Sequence, residues 1–209
     1  MHNDGQKAGI RKTLGILVGI IVVMLSLIFL NYVTRDVALS AEQAAKLGYI
    51  RFEQPRNITI PELVTEQGAR VLPLHFQGQW DLLYFGFTAC PDICPTTLAV
   101  LNQAVLNLEA PPQIHLVTVD PEQDTPAQLA RYLSIFNSDF SGITGAHEQI
   151  TQLAIQLNVA FGKVPGAEPG GYTVDHTGSI VVLDQAGRYA GFIKAPHQPA
   201  QLQQIIVGL

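Results

Sequence analysis

The hydrophobic pattern of this 209-residue chain opens with an uncharged run. Residues 13–34, TLGILVGIIVVMLSLIFLNYVT, contain no Asp, Glu, Lys or Arg. As an α-helix this run would extend about 33 Å, which is close to the hydrocarbon thickness of a bilayer. The pattern therefore predicts a single membrane-spanning helix near the N-terminus.

The charges around this run predict its orientation. One cation follows it closely and three precede it: Arg35, and Lys7, Arg11 and Lys12. Because positively charged flanks stay in the cytoplasm, we expect residues 1–12 to be cytoplasmic and the rest of the chain to be exported. A cleaved signal peptide is the alternative, since residues 38–40 offer small side chains, but the run is longer than the apolar core of a signal peptide. We expect an anchor in the bacterial inner membrane and a periplasmic domain.

The exported part alternates between strand and helix patterns. Residues 35–70 are interpreted as a spacer and the start of the exported domain, and residues 71–209 as the domain itself. The dense apolar run WDLLYFGFT (80–88) predicts a strand buried on both faces. Apolar residues then recur at helical spacing: Leu98, Leu101, Val105 and Leu108. A second strand is predicted at IHLVTVD (114–120), and residues 125–128 carry a capping box that begins a helix.

The C-terminal half completes this order of elements. We predict a helix over AHEQITQLAIQLNVAFG (146–162), a Pro- and Gly-rich loop over KVPGAEPGGYTVDH (163–176), a hairpin around 185–187 and a closing helix over QPAQLQQIIVGL (198–209). The order predicts a mixed sheet between helices, which is a three-layer α/β domain. A cysteine pair at the end of the first buried strand is typical of a thioredoxin-like fold. The alternative is another three-layer α/β fold with incidental cysteines.

The charge balance limits the possible partners. The whole chain carries a formal net charge of -5, and past Arg35 there are 8 Lys or Arg residues against 16 Asp or Glu residues. An acidic surface repels phosphate backbones, and the sequence has no cluster of Lys or Arg. Nucleic acid is therefore not an expected partner.

Cys90 and Cys94 are the only cysteines, and they lie where the first predicted strand gives way to a helix. Residues four apart in a first helical turn share one face. Because the N–H groups at a helix start favour a thiolate, we expect both thiols to have lowered pKa values. An oxidising compartment favours a structural disulfide, but so short a loop constrains the unfolded chain little.

Two chemical interpretations remain for the pair. Redox motifs of the thioredoxin type have two residues between the cysteines, whereas this chain has three. Thioredoxins also present a cis-proline before the strand that follows the loop, where this chain has His176. Two thiolates and one imidazole suit Cu(I), which accepts three ligands, whereas structural zinc requires a fourth. His176 could instead hydrogen-bond a loop, and spacing alone does not decide between these roles.

Four motifs read together resemble the Sco/SenC family of copper-handling proteins: YFGFTACPDICPTT, VDPEQDTP, GITGAHEQI and YTVDHTGSIVVLD. The resemblance covers residues 82–191. It implies a thioredoxin-like fold on a single N-terminal membrane anchor, and a function in assembling the binuclear copper centre of cytochrome c oxidase. By position, it implies that Cys90, Cys94 and His176 are the ligands of copper, as Cu(I) and also as Cu(II). The sequence departs from the family at Ala89, where an aromatic residue is usual.

The resemblance leaves two functions open. In the first, a metallochaperone without catalytic turnover receives copper from a donor chaperone and delivers it to the copper-binding subunit of cytochrome c oxidase. In the second, the protein is a thiol-disulfide oxidoreductase that reduces the cysteines of the oxidase copper site, with Cys90 and Cys94 as its redox-active groups. The three-residue spacing and the missing proline favour the first, so an enzymatic role is uncertain. A peroxidase is a third alternative, which the sequence disfavours because no Arg lies near the cysteines.

Carboxylates in these motifs are assigned supporting roles. Asp175 precedes His176 and is expected to orient it by accepting a hydrogen bond. In VDPEQDTP, Asp124 is expected to assist a helix N-terminus. Asp120 and Glu122 are expected to face solvent rather than to form an acid-base pair or a site for a hard metal ion.

Overall fold

The chain divides into two units, Met1–Val37 and Ala38–Leu209. The ranges that the computed structural model describes are 4–33, 39–166 and 171–209. The first unit contains helix α1 (Asp4–Val33), whose side chains from residue 14 to residue 30 are exposed. Within the described ranges, no helix is both long enough and apolar enough to cross a membrane. The last residue of the predicted anchor, Thr34, lies outside these ranges.

The second unit is built on a mixed sheet. Its described strands are, in chain order, β1 (Tyr49–Arg56), β2 (Leu63–Thr65), β3 (Asp81–Gly86), β4 (Gln113–Thr118), β5 (Ser141–Gly145), β6 (Phe161–Pro165), β7 (Tyr172–His176), β8 (Ile180–Leu183) and β9 (Tyr189–Ile193). Seven of them form one sheet in the order β1-β9-β8-β3-β4-β5-β2, while β6 and β7 form a separate hairpin. In the large sheet β3, β4 and β5 are parallel, and the other neighbours are antiparallel.

Helices connect and cover these strands. They are α2 (Ala41–Lys46), a short 3-10 helix (Pro73–Phe76), α3 (Ile93–Val105), α4 (Pro126–Leu133), α5 (His147–Gln156) and α6 (Pro199–Val207). Helix α3 packs against α6, and α4 lies against β5. The alternation of strands and helices, followed by the β8–β9 hairpin and α6, confirms the predicted mixed α/β domain.

Strand β3 is the centre of the sheet and of the core. Each of its six residues is buried, and it pairs with β4 on one side and β8 on the other. A strand that is buried on both faces is typically a continuous apolar run, and β3 is predicted from such a run. Because α3 begins seven residues after the end of β3, the intervening turn and the first turn of α3 carry both cysteines at the rim of a rigid sheet.

The capping box at the start of α4 is also confirmed. The Thr125 hydroxyl accepts a hydrogen bond from the Gln128 N–H at 3.3 Å, and the Gln128 side chain accepts one from the Thr125 N–H at 3.0 Å. Leu129 and Leu133, four residues apart on one face of α4, are buried. The start of α4 is therefore determined by its own sequence.

Two parts of the sheet differ from what the sequence pattern predicts: its edge strands and β5. The segment 35–70 supplies both edge strands, because β1 pairs with β9 and β2 pairs with β5. Strand β5 was not predicted, since glycine is a poor strand signal. Here Gly142 allows close packing: a Cβ at this position would lie 2.9 Å from the Cβ of Leu129 in α4.

The predicted Pro- and Gly-rich loop contains a hairpin. Strands β6 and β7 pair in register from Phe161 opposite His176 to Pro165 opposite Tyr172. Backbone pairing across the hairpin overrides the turn propensity of its sequence. The centre of the predicted loop, residues 167–170, lies outside the described residues.

Candidate metal centre

The two cysteines meet at the start of α3. Cys94 lies in the first turn of the helix and is completely buried, whereas Cys90 lies in the preceding turn and is half-buried. Both are free thiols. The backbone N–H of Cys94 donates a hydrogen bond to the Cys90 sulfur at 3.3 Å. The helix start therefore brings the pair together, as the four-residue spacing predicts.

His176 joins them from the end of β7. Its Nε2 lies 3.6 Å from the Cys94 sulfur, and its Nδ1 lies 3.2 Å from the carbonyl oxygen of Thr177. A carbonyl only accepts, so Nδ1 carries the hydrogen and Nε2 presents its lone pair toward the sulfur. The rings of Tyr84 and Phe87 pack edge-on against the imidazole, with centroids at 5.9 and 6.2 Å.

The structure gives no support for the orienting role predicted for Asp175. Successive side chains of a strand point to opposite faces, so Asp175 and His176 face apart on β7. Asp175 is exposed, and the acceptor beside the imidazole is the carbonyl of Thr177.

The protonation of Cys94 differs from the expectation. Burial, together with a smaller contribution from a hydrogen bond with Cys90, raises the pKa of its thiol to about 12. The expectation of a lowered pKa is therefore wrong for Cys94, because the loss of solvent around a buried thiolate outweighs the field of the helix start. In the metal-free protein this thiol is protonated at neutral pH.

Asp124 holds the turn that leads to the cysteines. Its buried carboxylate accepts hydrogen bonds from the N–H of Thr88 at 3.3 and 3.1 Å and from the Thr88 hydroxyl at 2.5 Å. The hydroxyl of Thr118 donates to the same carboxylate at 2.6 Å. The expectation that Asp124 assists a helix N-terminus is wrong, since Thr125 caps α4 and Asp124 instead joins the end of β4 to the turn before Cys90.

Asp120 is buried, which corrects the expectation that it faces solvent. Its carboxylate accepts the hydroxyl of Tyr172 in β7. Glu122 faces solvent as expected, with its side chain 65% exposed, and pairs with Lys163 of β6 at 2.6 Å. These contacts fasten the β6–β7 hairpin, and His176 with it, to the loop that follows β4.

The sequence analysis did not identify three residues that shape this site: Tyr84, Thr88 and Tyr172. Tyr84 and Thr88 lay inside the first resembling motif but were interpreted as parts of a core strand and its end. Tyr172 begins the fourth resembling motif, but its contact with Asp120 could not be predicted because the two residues are 52 positions apart in the sequence.

The donors present fit a soft metal ion. Two sulfurs and one imidazole nitrogen are the ligands that Cu(I) prefers over oxygen. Among the described residues, no three His, Cys, Asp or Glu side chains are already arranged as a metal site. Cys94 and His176 are in contact, whereas the Cys90 sulfur is turned toward the backbone N–H of Cys94.

Comparison with known proteins identifies the family. The SCO1/SenC family model matches residues 55–209, which is most of the chain. This chain belongs to the SCO1/SenC family. The matched region contains all three predicted ligands and Asp124.

Relatives of this SCO1/SenC chain occur in bacteria and in mitochondria. A Stutzerimonas stutzeri protein described as a candidate copper-binding protein is 40% identical over 159 residues, covering 73% of this chain and 77% of that protein. The mitochondrial SCO2 homolog of Bos taurus is 37% identical over 174 residues, covering 79% of this chain and 65% of that protein. The chain thus spans less than two thirds of the bovine relative.

Solved structures share the fold of this SCO1/SenC domain. Arabidopsis thaliana ScoI, solved with copper bound, is 31% identical with a TM-score of 0.66, covering 71% of this chain and 96% of that one. Bradyrhizobium japonicum ScoI, also solved with copper bound, is 32% identical with a TM-score of 0.59, covering 68% of this chain and 92% of that one. The thioredoxin-like α/β fold is therefore confirmed.

Proposed function

We propose that this SCO1/SenC protein is a copper metallochaperone, which holds copper through Cys90, Cys94 and His176 and delivers it to the binuclear copper centre of cytochrome c oxidase. The observation that carries this proposal is the 3.6 Å contact between Cys94 Sγ and His176 Nε2, with Cys90 one hydrogen bond away. The relatives solved with copper bound support the choice of metal. The oxidase as acceptor, and a copper donor chaperone as supplier, rest on the family resemblance.

The exposure of the three ligands suits transfer by ligand exchange. Cys94 is enclosed, whereas Cys90 and His176 are half-buried and reach the surface. An open groove of about 380 Å³ runs beside His176 along the β6–β7 hairpin. An acceptor sulfur that arrives from this side would replace the outer ligands one at a time, so the copper stays coordinated and no catalytic turnover is needed.

Copper capture would require the Cys94 thiol to lose its proton. Burial raises the pKa of this thiol to about 12, so the metal-free protein holds the proton at neutral pH. Because the thiolate is the ligand, copper binding would release that proton, and the apparent affinity would rise with pH.

The test is an anaerobic Cu(I) titration of the reduced protein against a chromophoric competitor. We expect a single copper ion per chain. We expect His176→Ala to weaken binding by at least about tenfold, because loss of a residue that only hydrogen-bonds a metal ligand already lowers metal affinity by about that factor. The matched control is His147→Ala, which removes an exposed histidine. If His176→Ala bound Cu(I) as tightly as the parent and the control, His176 would not be a ligand.

A thiol-disulfide oxidoreductase is the second candidate function. The observation in its favour is the unequal exposure of two adjacent free thiols. Cys90 is accessible for attack on a disulfide, and Cys94 beside it could then resolve the mixed disulfide. In this case His176→Ala would change the rate at which the reduced protein reduces a disulfide peptide, while its copper affinity would stay near that of the parent. The reduction rate and the copper affinity should be measured on the same protein preparation.

We further propose that residues 13–34 anchor the protein in the bacterial inner membrane, with residues 1–12 in the cytoplasm and the domain in the periplasm. The support comes from the sequence alone: the run is uncharged and three cations precede it. A reporter that is active only in the periplasm, fused after residue 40, should be active. Activity of a cytoplasm-specific reporter at the same position would contradict this orientation.

A further inference from the structure

The hydroxyl of Tyr84 is buried against the sulfur of Cys94. Tyr84 lies in the middle of β3 and is completely buried, and its hydroxyl points to the Cys94 Sγ at 3.8 Å, within hydrogen-bond range for sulfur. The strand is paired on both sides, with Leu116 of β4 and Ile180 of β8 opposite Tyr84. The phenol is therefore held in place by the centre of the sheet rather than by a loop.

A glycine makes room for this contact. Gly86 follows Tyr84 by two residues and lies on the same face of β3. A Cβ at position 86 would lie 3.0 Å from the Cys94 sulfur and 3.1 Å from Cε1 of Tyr84. A side chain at position 86 would require the sulfur or the phenol to move by a few tenths of an ångström, so glycine permits their close approach.

Thr97 provides a second partner for the phenol. It lies three residues after Cys94 on α3 and is buried, and a hydrogen bond from its side chain partly offsets the rise that burial causes in the pKa of the Tyr84 phenol. A threonine hydroxyl can donate to the phenolic oxygen while the phenolic hydrogen points to the sulfur. The three groups then form a chain of hydrogen bonds from Thr97 through Tyr84 to Cys94, and each bond polarises the next.

We propose that Tyr84 is a positioning residue that holds the Cys94 sulfur and donates a hydrogen bond to it, which favours bound Cu(I) over Cu(II). The proposal rests on the proposed copper function. A hydrogen bond to a thiolate stabilises the charge on sulfur and weakens its donation to the metal. Cu(II) depends more on that donation than Cu(I), and hydrogen bonding around a cysteine ligand is a known control of copper redox potential.

The test is Tyr84→Phe in the detergent-solubilised full chain, because this change removes the hydroxyl and keeps the ring that packs against His176. We expect the sulfur-to-Cu(II) charge-transfer absorption to move to longer wavelength, since the sulfur electrons lose a stabilising hydrogen bond. We also expect the ratio of Cu(II) to Cu(I) affinity to rise by about tenfold, as for loss of a hydrogen bond to a charged group. Thr97→Val should shift both quantities in the same direction by less.

The control is Tyr189→Phe, which removes the hydroxyl of an equally buried tyrosine in β9, whose ring packs against Phe52 rather than the cysteines. It should leave the absorption and the affinity ratio at parent values. If Tyr84→Phe also did so, the Tyr84 inference would be overturned while the copper function stood. Failure of the parent to bind copper would overturn both. Should Tyr84→Phe not fold, parent-like values for Thr97→Val would overturn the inference.

Discussion

The hydroxyl of Tyr172 donates to both carboxylate oxygens of Asp120, at 3.1 and 3.0 Å. This contact joins β7, which ends at His176, to the residues that follow β4. Lys163 of β6 makes a further contact between the hairpin and this loop, because its ammonium lies 4.3 Å from the centre of the Tyr172 ring and 2.6 Å from a Glu122 oxygen. The hairpin that carries the imidazole is therefore fastened to the body of the domain in the metal-free state.

Tyr172→Phe should loosen this hairpin and weaken copper binding without changing a ligand. The variant leaves the buried Asp120 carboxylate without the hydrogen bond that it accepts from the Tyr172 hydroxyl. The loss of this bond costs about 1 kcal/mol. We expect Cu(I) affinity to fall by about fivefold, less than in His176→Ala, while both thiols remain titratable. Competitive Cu(I) titration of the two variants side by side measures the difference.

Glu122→Gln is the matched control for this prediction. It alters the other contact that holds the same hairpin, but the Glu122–Lys163 pair is exposed, and exposed ion pairs contribute little because water screens them. Its Cu(I) affinity should stay within about twofold of the parent. An effect of Glu122→Gln as large as that of Tyr172→Phe would show that the Tyr172–Asp120 contact has no special role.

Asp124→Ala should destabilise the domain strongly. The change leaves the Thr88 N–H and the hydroxyls of Thr88 and Thr118 without their shared buried acceptor. Each unpaired buried donor costs about 1 to 3 kcal/mol, so we expect the free energy of unfolding to fall by roughly 3 kcal/mol. Urea denaturation measures it, with the exposed Asp139→Ala as control. A loss below about 1 kcal/mol would mean that water replaces the carboxylate.

Features set by neighbours along the chain could be predicted from sequence. Strand β3 was visible as one apolar run, and the Thr125 capping box was visible as a local motif. The convergence of Cys90 and Cys94 followed from their spacing, because both lie at one helix start. The capping box and the cysteine pair have their partners within a few residues of one another, and the apolar run of β3 is contiguous in the sequence, so each of these features is visible as a local pattern.

Features that depend on packing between distant segments could not be predicted. Strand β5 needs Gly142 because α4 approaches closely, and this requirement is invisible until both elements are placed. The pKa of Cys94 depends on its burial, which the helix-start argument did not include. His176 was a candidate ligand because it occupies the position of the thioredoxin cis-proline, but only the resemblance assigned it as one, since spacing cannot pair it with Cys94, 82 residues away.

The unit Ala38–Leu209 should fold without metal and without the residues before it. Its core is continuous from β1 to α6, and Cys94 is one member of a large buried cluster that does not depend on a metal ion. We expect the separately produced domain to show a single cooperative thermal transition in the presence of a chelator. A chain that folds only after copper is added would instead make the metal structural, as in a zinc finger.

His197 connects two loops next to the site. Its Nε2 lies 2.8 Å from the carbonyl oxygen of Gly178, two residues after His176, so Nε2 carries the hydrogen. Its Nδ1 is buried and has no hydrogen-bond partner among the described residues. Burial lowers the pKa of His197, only partly offset by the hydrogen bond to Gly178, because a proton on Nδ1 would be a buried donor without an acceptor.

The metal-free protein should therefore lose stability as the pH falls below about 6.5, the usual pKa of histidine in an unfolded chain. Below that pH the unfolded chain binds a proton at His197 that the folded chain does not, so the free energy of unfolding decreases as the pH falls. Above that pH the contribution of His197 to stability is fully present. Urea denaturation at pH 8 and pH 5 measures the decrease. His197→Gln, which cannot titrate, should show a smaller decrease than the parent, whereas the exposed-site control His147→Gln should match the parent. Equal decreases in the parent and His197→Gln would show that His197 is protonated in the folded state.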